Sequence, residues 1–195
     1  MTREFVYFSS KAVTTGNFTD LADAGRMDIA CHTVIQAFFL SRDRRKDIKL
    51  HLFFYGRPDP PKHLEIWSDK DGELTSVNKK DVIKVIKRLL YKYRAGEKKE
   101  VDPGCFVEKK SVLSFVEDLL EQDRNVYVLD EKGEDIRSID IGENPVFILG
   151  DHEGVTFKEL RRLRKSVIPV KVGPHSYFAS QVIAVVHNEL DRRNL

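Results

Sequence analysis

From Asn144 to Gly154 the chain reads N-P-V-F-I-L-G-D-H-E-G, and this stretch limits the possible folds more than any other. The apolar run Val146 to Leu149 is too short for a helix and has no polar alternation, so it reads as a buried strand. Gly150 and the polar residues Asp151, His152 and Glu153 follow directly, and Gly154 closes the turn. The strand therefore delivers its polar side chains at its C-terminal end. Open α/β sheets hold ligands at that end, in a crevice lined by loop backbone. Glycine there lets main chain approach a ligand closely. The same residues also suit an ordinary strand-to-helix connection.

The remaining segments fit such a sheet. Glu4 to Phe8, Ile48 to Tyr55, Leu64 to Trp67, Val126 to Leu129 and Val167 to Val170 read as strands. Helical spacing of apolar residues marks Met27 to Leu40, the stretch after Asn78 through Tyr93, Ser111 to Glu121 and Phe178 to Arg193. Phe157 to Lys165 reads as a basic helix, and Glu131 to Gly142 as a polar connection. Strands and helices alternate through the second half, so the expectation is an α/β fold with a mostly parallel sheet and helices on both faces. One domain over 1–195 is expected, with an internal boundary at Ala95 to Gly104 dividing it into parts of about 1–104 and about 105–195.

Composition and missing motifs narrow the function. With 41% hydrophobic and 33% charged residues the chain is globular with a densely charged surface. No apolar run approaches membrane-spanning length and the N-terminus lacks a signal-peptide pattern, so a cytoplasmic protein is expected. The usual glycine-rich dinucleotide and nucleoside-triphosphate cradles are missing, as is the hydrolase nucleophile elbow. Cys31 and Cys105 read as buried thiols. His152, His175 and His187 with Asp151 lack metal-ligand spacing, so no metal is expected.

The net charge is only +2, but cations cluster at Arg42 to Lys46, along Lys79 to Lys92, and at Lys158, Arg161, Arg162, Arg164 and Lys165. Lys80, Lys84, Lys87 and Arg88 recur at helical spacing, opposite the apolar stripe. Any of the three groups could meet RNA phosphates, or could simply be a solvated face. The third cluster follows the Gly150 turn and would lie beside the ligand crevice.

Several motifs together carry a family resemblance: F-V-Y-F near the start, G-R-M-D at Gly25 to Asp28, Q-A-F-F-L-S at Gln36 to Ser41, F-Y-G-R-P-D-P-P at Phe54 to Pro61, the Asn144 stretch, and V-V-H-N-E-L-D at Val185 to Asp191. In this order, across nearly the whole chain, they resemble the archaeal tRNA pseudouridine N1-methyltransferases of the SPOUT superfamily. That resemblance implies an α/β fold with a C-terminal trefoil knot, S-adenosylmethionine as cofactor, a tRNA substrate and a homodimer. Carried over, the cofactor loops are the one after Leu129, the Gly150 turn, and Val172, Gly173, Pro174, His175, Ser176 and Tyr177, with Val182 one turn further on. Many relatives carry a cysteine near that last place, so Val182 suggests a packing role instead.

The chemistry implied is attack by an imide-like ring nitrogen on the donor's methyl group, which requires in-line placement and a destination for the nitrogen's proton. Asp151 is the candidate orienting group or proton acceptor. Arg26 is the candidate for a uracil carbonyl or a phosphate, with Asp28 holding it. Loop capping by Asp151 and a purely structural Arg26 to Asp28 pair are the plainer roles. Alternatives for the whole chain are a ribosomal RNA pseudouridine N1-methyltransferase and a non-catalytic RNA-binding module.

Overall fold

The computed structural model describes residues 1–68, 70, 74, 77–151 and 166–195. Its strands are β1 (Arg3–Ser9), β2 (Ile48–Phe54), β3 (Lys62–Trp67), β4 (Lys99–Asp102), β5 (Cys105–Glu108), β6 (Val126–Asp135), β7 (Val146–Gly150) and β8 (Ile168–Lys171), and they form one sheet in the order β4-β5-β3-β2-β1-β7-β6-β8. From β2 to β8 every neighbouring pair is parallel, whereas β3, β5 and β4 add an antiparallel edge.

Alternate residues of the central strands enter two cores, which is why their sequences are apolar throughout. Phe5, Tyr7, Phe147 and Leu149 face α1 (Met27–Phe38), α2 (Lys79–Lys92) and α4 (Ala179–Arg192). Val6, Phe8, Val146 and Ile148 face α3 (Val112–Glu121). Helix starts follow local chemistry: Asn78 Oδ1 accepts from Lys80 N–H at 2.9 Å, and Ser111 Oγ from Ser114 N–H at 3.1 Å.

Two expectations change. The 95–104 stretch holds β4, which pairs with β5 as a hairpin at the sheet edge; its charged residues masked a strand whose sides are both partly solvated. Glu131 to Gly142 is not all connection either. β6 resumes after a register slip in which both Leu129 and Glu134 pair with Val170 of β8, so residues 130–133 loop out between them. Gly133 allows the close return, since a Cβ there would lie 2.4 Å from the Val170 backbone nitrogen. The expected basic helix at Phe157 to Lys165 lies outside the described residues.

The V-V-H-N-E-L-D motif pins α4. His187 Nε2 donates to the Ala37 carbonyl of α1 at 3.1 Å, while Arg3 Nη1 lies 3.2 Å from His187 Nδ1. Asp191 accepts from Arg3 at 2.7 Å and from Arg45 at 2.6 Å. Those two guanidiniums, Arg45 first, hold the Asp191 carboxyl down at about 2.

Candidate functional site

Strand order decides where the site lies. β1 leads through α1 to β2 on one side of the sheet, and β7 precedes β8 on the other, so the connections diverge beyond the C-terminal ends of the neighbouring strands β1 and β7. Open α/β sheets bind ligands at such switch points. Ser9 ends β1, and Asp151 follows β7. The buried Asp151 is fixed from two sides: its N–H donates to the Phe8 carbonyl at 3.0 Å, and its Oδ2 accepts from Ser9 Oγ at 2.8 Å. Ser9 Oγ is itself fixed by the Ala12 N–H at 3.1 Å.

A cavity of about 580 Å³ opens beside this carboxylate. Small-molecule sites span about 300–1,000 Å³. Leu129, Asp130 and Glu131 of β6, Leu149 and Gly150 of β7, and Val170 to Gly173 at the end of β8 form its floor. His175, Ser176 and Tyr177 supply one wall, with Val182 and Gln181 from the first turn of α4 and Ile29 from α1 closing it. Of the cofactor residues expected from the sequence, the structure brings together Leu129, Gly150, Val172, Gly173, His175, Ser176, Tyr177 and Val182, while Pro174 lies in the same loop off the lining. Val182 is buried among core side chains.

The lining suits an adenosyl and methionyl ligand. Ile29, Leu129, Leu149, Val170, Val172 and Val182 offer apolar surface for a flat base, and Asp130, Glu131 and Asp151 offer acceptors for hydroxyl and cationic groups. Sequence reading missed Ile29 and Gln181, whereas Asp130 and Glu131 fall in the loop expected after Leu129 without having been named. They line the cavity where β6 breaks register against β8.

Arg26 and Asp28 stand at the start of α1, next to Ile29. Gly25 and Arg26 both have left-handed backbone, φ 73° and 65°, and a Cβ on Gly25 would strike the Lys11 carbonyl. For arginine that conformation is uncommon and carries strain of the sort found at binding sites. It places the guanidinium against Asp28, with Nε to Oδ1 and Nη2 to Oδ2 both at 3.0 Å. This hydrogen-bonded pairing holds the Asp28 carboxyl below its ordinary range. Neither side chain is on the cavity lining.

Tyr7, which sequence reading placed only in a strand, links the two groups. Its ring is fully buried, and among the described residues its hydroxyl makes no well-aligned hydrogen bond. Burial, then the charge of Asp151, pushes the phenol far above its ordinary range; the Ser9 hydroxyl beside it and Arg26 oppose this and Asp28 adds to it, so Tyr7, Asp151, Asp28 and Arg26 share one neighbourhood.

Other expected groups separate. His175 and Asp151 share the cavity, but His187 is buried at the α1–α4 contact, where burial, Arg45 and Arg3 take it down to about 3; His152 lies outside the described residues. Cys31 and Cys105 are buried thiols, pushed by burial up to about 12 and about 11, which removes thiolate chemistry.

On α2 the proposed cationic face divides. Lys80 is exposed, and Lys84 is exposed but 3.0 Å from Asp81. Lys87 bonds the Phe18 carbonyl, and Arg88 donates to Asp102 Oδ2 through Nε at 2.9 Å, with Nη2 in an ion pair 2.6 Å from the same oxygen. The single solvent face expected for all four is thus corrected, because the loop holding Phe18 and the β4–β5 hairpin cover its flanks. Arg161, Arg162, Arg164 and Lys165 lie outside the described residues.

Comparisons with known proteins agree with this geometry. Residues 2–195 match the family described as "Putative SAM-dependent RNA methyltransferase". The chain is 32% identical to the tRNA (pseudouridine(54)-N(1))-methyltransferase of Methanocaldococcus jannaschii, covering 99% of this chain and 98% of that protein. It is 35% identical to the protein of the same name from Methanococcoides burtonii, covering 97% and 96%. In fold it is similar to Archaeoglobus fulgidus Nep1 bound to S-adenosylhomocysteine, with a TM-score of 0.69 over 100% of this chain and 99% of that one at 14% identity. A match along nearly the whole chain, together with a cavity of this lining at the switch point, places the protein in the family of SAM-dependent RNA methyltransferases.

Proposed function

We propose that this chain methylates N1 of pseudouridine in tRNA, at position 54 as the names of its relatives specify. The observation that carries the reading is the cavity at the ends of β6, β7 and β8, with one fixed carboxylate, Asp151, on its lining. S-adenosylmethionine would supply the electrophilic methyl group there, held by the Leu129 to Glu131 segment, the Gly150 turn and the Val172 to Tyr177 loop.

Asp151 accepts the N1 proton of the base as the nitrogen becomes nucleophilic. The Ser9 hydroxyl keeps its carboxylate aimed and hydrogen-bonded. As negative charge spreads to the ring carbonyls, Arg26, oriented by Asp28, stabilises it or holds the adjoining phosphate. A base in folded RNA must be turned out to reach this place, so the enzyme also grips the backbone. Lys80, Lys84 and the Arg161, Arg162, Arg164 and Lys165 cluster serve that purpose. Arg88, committed to Asp102, supports the α2 surface.

A homodimer fits the exposed apolar side chains Ile168, Tyr177 and Phe178 on the β8 edge and at the cavity mouth. A cytoplasmic site of action fits the tRNA substrate. A trefoil knot in the C-terminal part is the connectivity implied by the family resemblance. The decisive experiment is nucleoside mass spectrometry of tRNA incubated with the protein and methyl-labelled S-adenosylmethionine. N1-methylpseudouridine supports the proposal, label appearing only in a ribosomal RNA hairpin favours the rRNA enzyme, and no label in either favours an RNA-binding module.

A further inference from the structure

A second polar cluster lies on the opposite face of the sheet, under α3. His51 of β2 and Glu65 of β3 are cross-strand partners, and His63 follows on the same face of β3. All three are buried, and one ligand atom from each lies within 4.8 Å of the others. His51 Nδ1 and His63 Nε2 are 3.0 Å apart, and His51 Nδ1 is 3.8 Å from Glu65 Oε2. A zinc-sized ion holds nitrogen and oxygen ligands at about 2.0–2.2 Å, so tetrahedral ligand atoms lie about 3.3–3.5 Å apart; the two nitrogens would separate slightly and the Glu65 carboxylate would move inward to share one centre.

We propose that His51, His63 and Glu65 bind a divalent metal ion of the zinc class, as a site separate from the methyl-transfer cavity. The surroundings are those of metal-ligating histidines, whose outer ring nitrogen donates to a carboxylate. His63 Nδ1 is 2.9 Å from Glu108 Oε1, and His51 Nε2 faces Glu4 Oε2 at 3.4 Å. The His63 ring is held flat by stacking on Phe53, with centroids 4.3 Å apart and planes 3° from parallel.

Proton positions argue for the ion. If His63 donates through Nδ1 to Glu108, its Nε2 is an acceptor and His51 must donate to it through Nδ1. A neutral His51 then turns a bare nitrogen toward the Glu4 carboxylate, whereas a protonated one would donate to it; among the described residues Nε2 lies 3.4 Å from Glu4 Oε2 without a well-aligned hydrogen bond. An ion in place of that shared proton lets both histidines use their inner nitrogen as ligand and their outer N–H as donor.

The local charge can accommodate the ion. Glu4, Glu65 and Glu108 are countered by Arg124 and Lys49, 3.0 and 3.8 Å from Glu4, and by Lys98, 2.6 Å from Glu65. The Lys98 side chain is 43% exposed, so it can swing out as the ion enters and offset part of the added charge.

The test is titration of the tag-free, chelator-washed full-length protein with Co²⁺, a spectroscopic stand-in for Zn²⁺. One Co²⁺ per chain should bind with visible ligand-field bands, no sulfur charge-transfer band, and displacement by Zn²⁺. Glu65→Gln should abolish those bands, Glu108→Gln should weaken binding about 10–100-fold, and Lys98→Ala should tighten it. S-adenosylhomocysteine binding, unchanged in every variant, reports an intact fold. Absence of Co²⁺ binding at micromolar concentrations by the wild type, or binding indifferent to both Glu65→Gln and Lys98→Ala, would overturn the proposal.

Discussion

Asp151 is the residue on which the chemistry turns. Asp151→Asn keeps an acceptor for the Ser9 hydroxyl but removes the base, so we expect kcat to fall by about 10²–10⁴ with S-adenosylhomocysteine affinity changed less than threefold. Single-turnover methyl transfer checks this, and a rate equal to wild type would remove Asp151 from the mechanism. Tyr7→Phe offers a contrasting case. Among the described residues its buried hydroxyl makes no well-aligned hydrogen bond, with the Ser9 hydroxyl beside it, so deleting it should change stability by less than about 1 kcal/mol, as read from denaturant unfolding; a larger loss would mean the hydroxyl is bonded in solution. Asp151 was legible in the sequence because strand, glycine and carboxylate are contiguous there. Tyr7, Ile29 and the His51 and His63 pair were not, since each owes its surroundings to residues distant in the chain.

Among elements, the tie between α4 and the sheet carries a pH signature. Burial and two arginines take His187 to about 3, below the ordinary 6.5, so the unfolded chain binds a proton that the folded one refuses. Stability from this group is complete above pH 6.5 and drains away as pH falls toward 3. His63, taken to about 4 chiefly by burial, acts in the same direction. Asp191, held at about 2, does not titrate between pH 7 and 5. We therefore expect the melting temperature to drop across that interval and His187→Gln to flatten part of the slope, which calorimetry at stepped pH would show. The β6–β8 contact makes a second case: Gly133→Ala drives a Cβ into the Val170 backbone, so about 1–3 kcal/mol of stability and much of the cofactor affinity should be lost together. Central strands and long helices were legible from apolar runs and helical spacing. The β4–β5 hairpin and the β6 slip were not, because an edge strand reads as loop and a register shift leaves no local periodicity.

For the molecule as a whole, the α/β class followed from the alternation of elements, whereas sheet order, and with it the switch point between β1 and β7, depends on pairings no local pattern encodes. The family resemblance supplied the cofactor that periodicity could not. If the cavity holds that cofactor, its demethylated form at 100 times Kd should stabilise the fold by about 2.7 kcal/mol, visible as a raised melting temperature. If RNA is gripped by the cationic cluster, Arg161→Ala with Arg162→Ala should reduce the slope of log K against log salt by about 1.5, whereas an unaltered slope would move the RNA elsewhere. The most direct measurement is a crystal structure of the chain soaked with S-adenosylhomocysteine. The expected result is an adenosyl group between Leu129, Val172 and Val182 with the sulfur toward Asp151; a ligand bound elsewhere, or a cavity closed by the protein's own side chains, would contradict it.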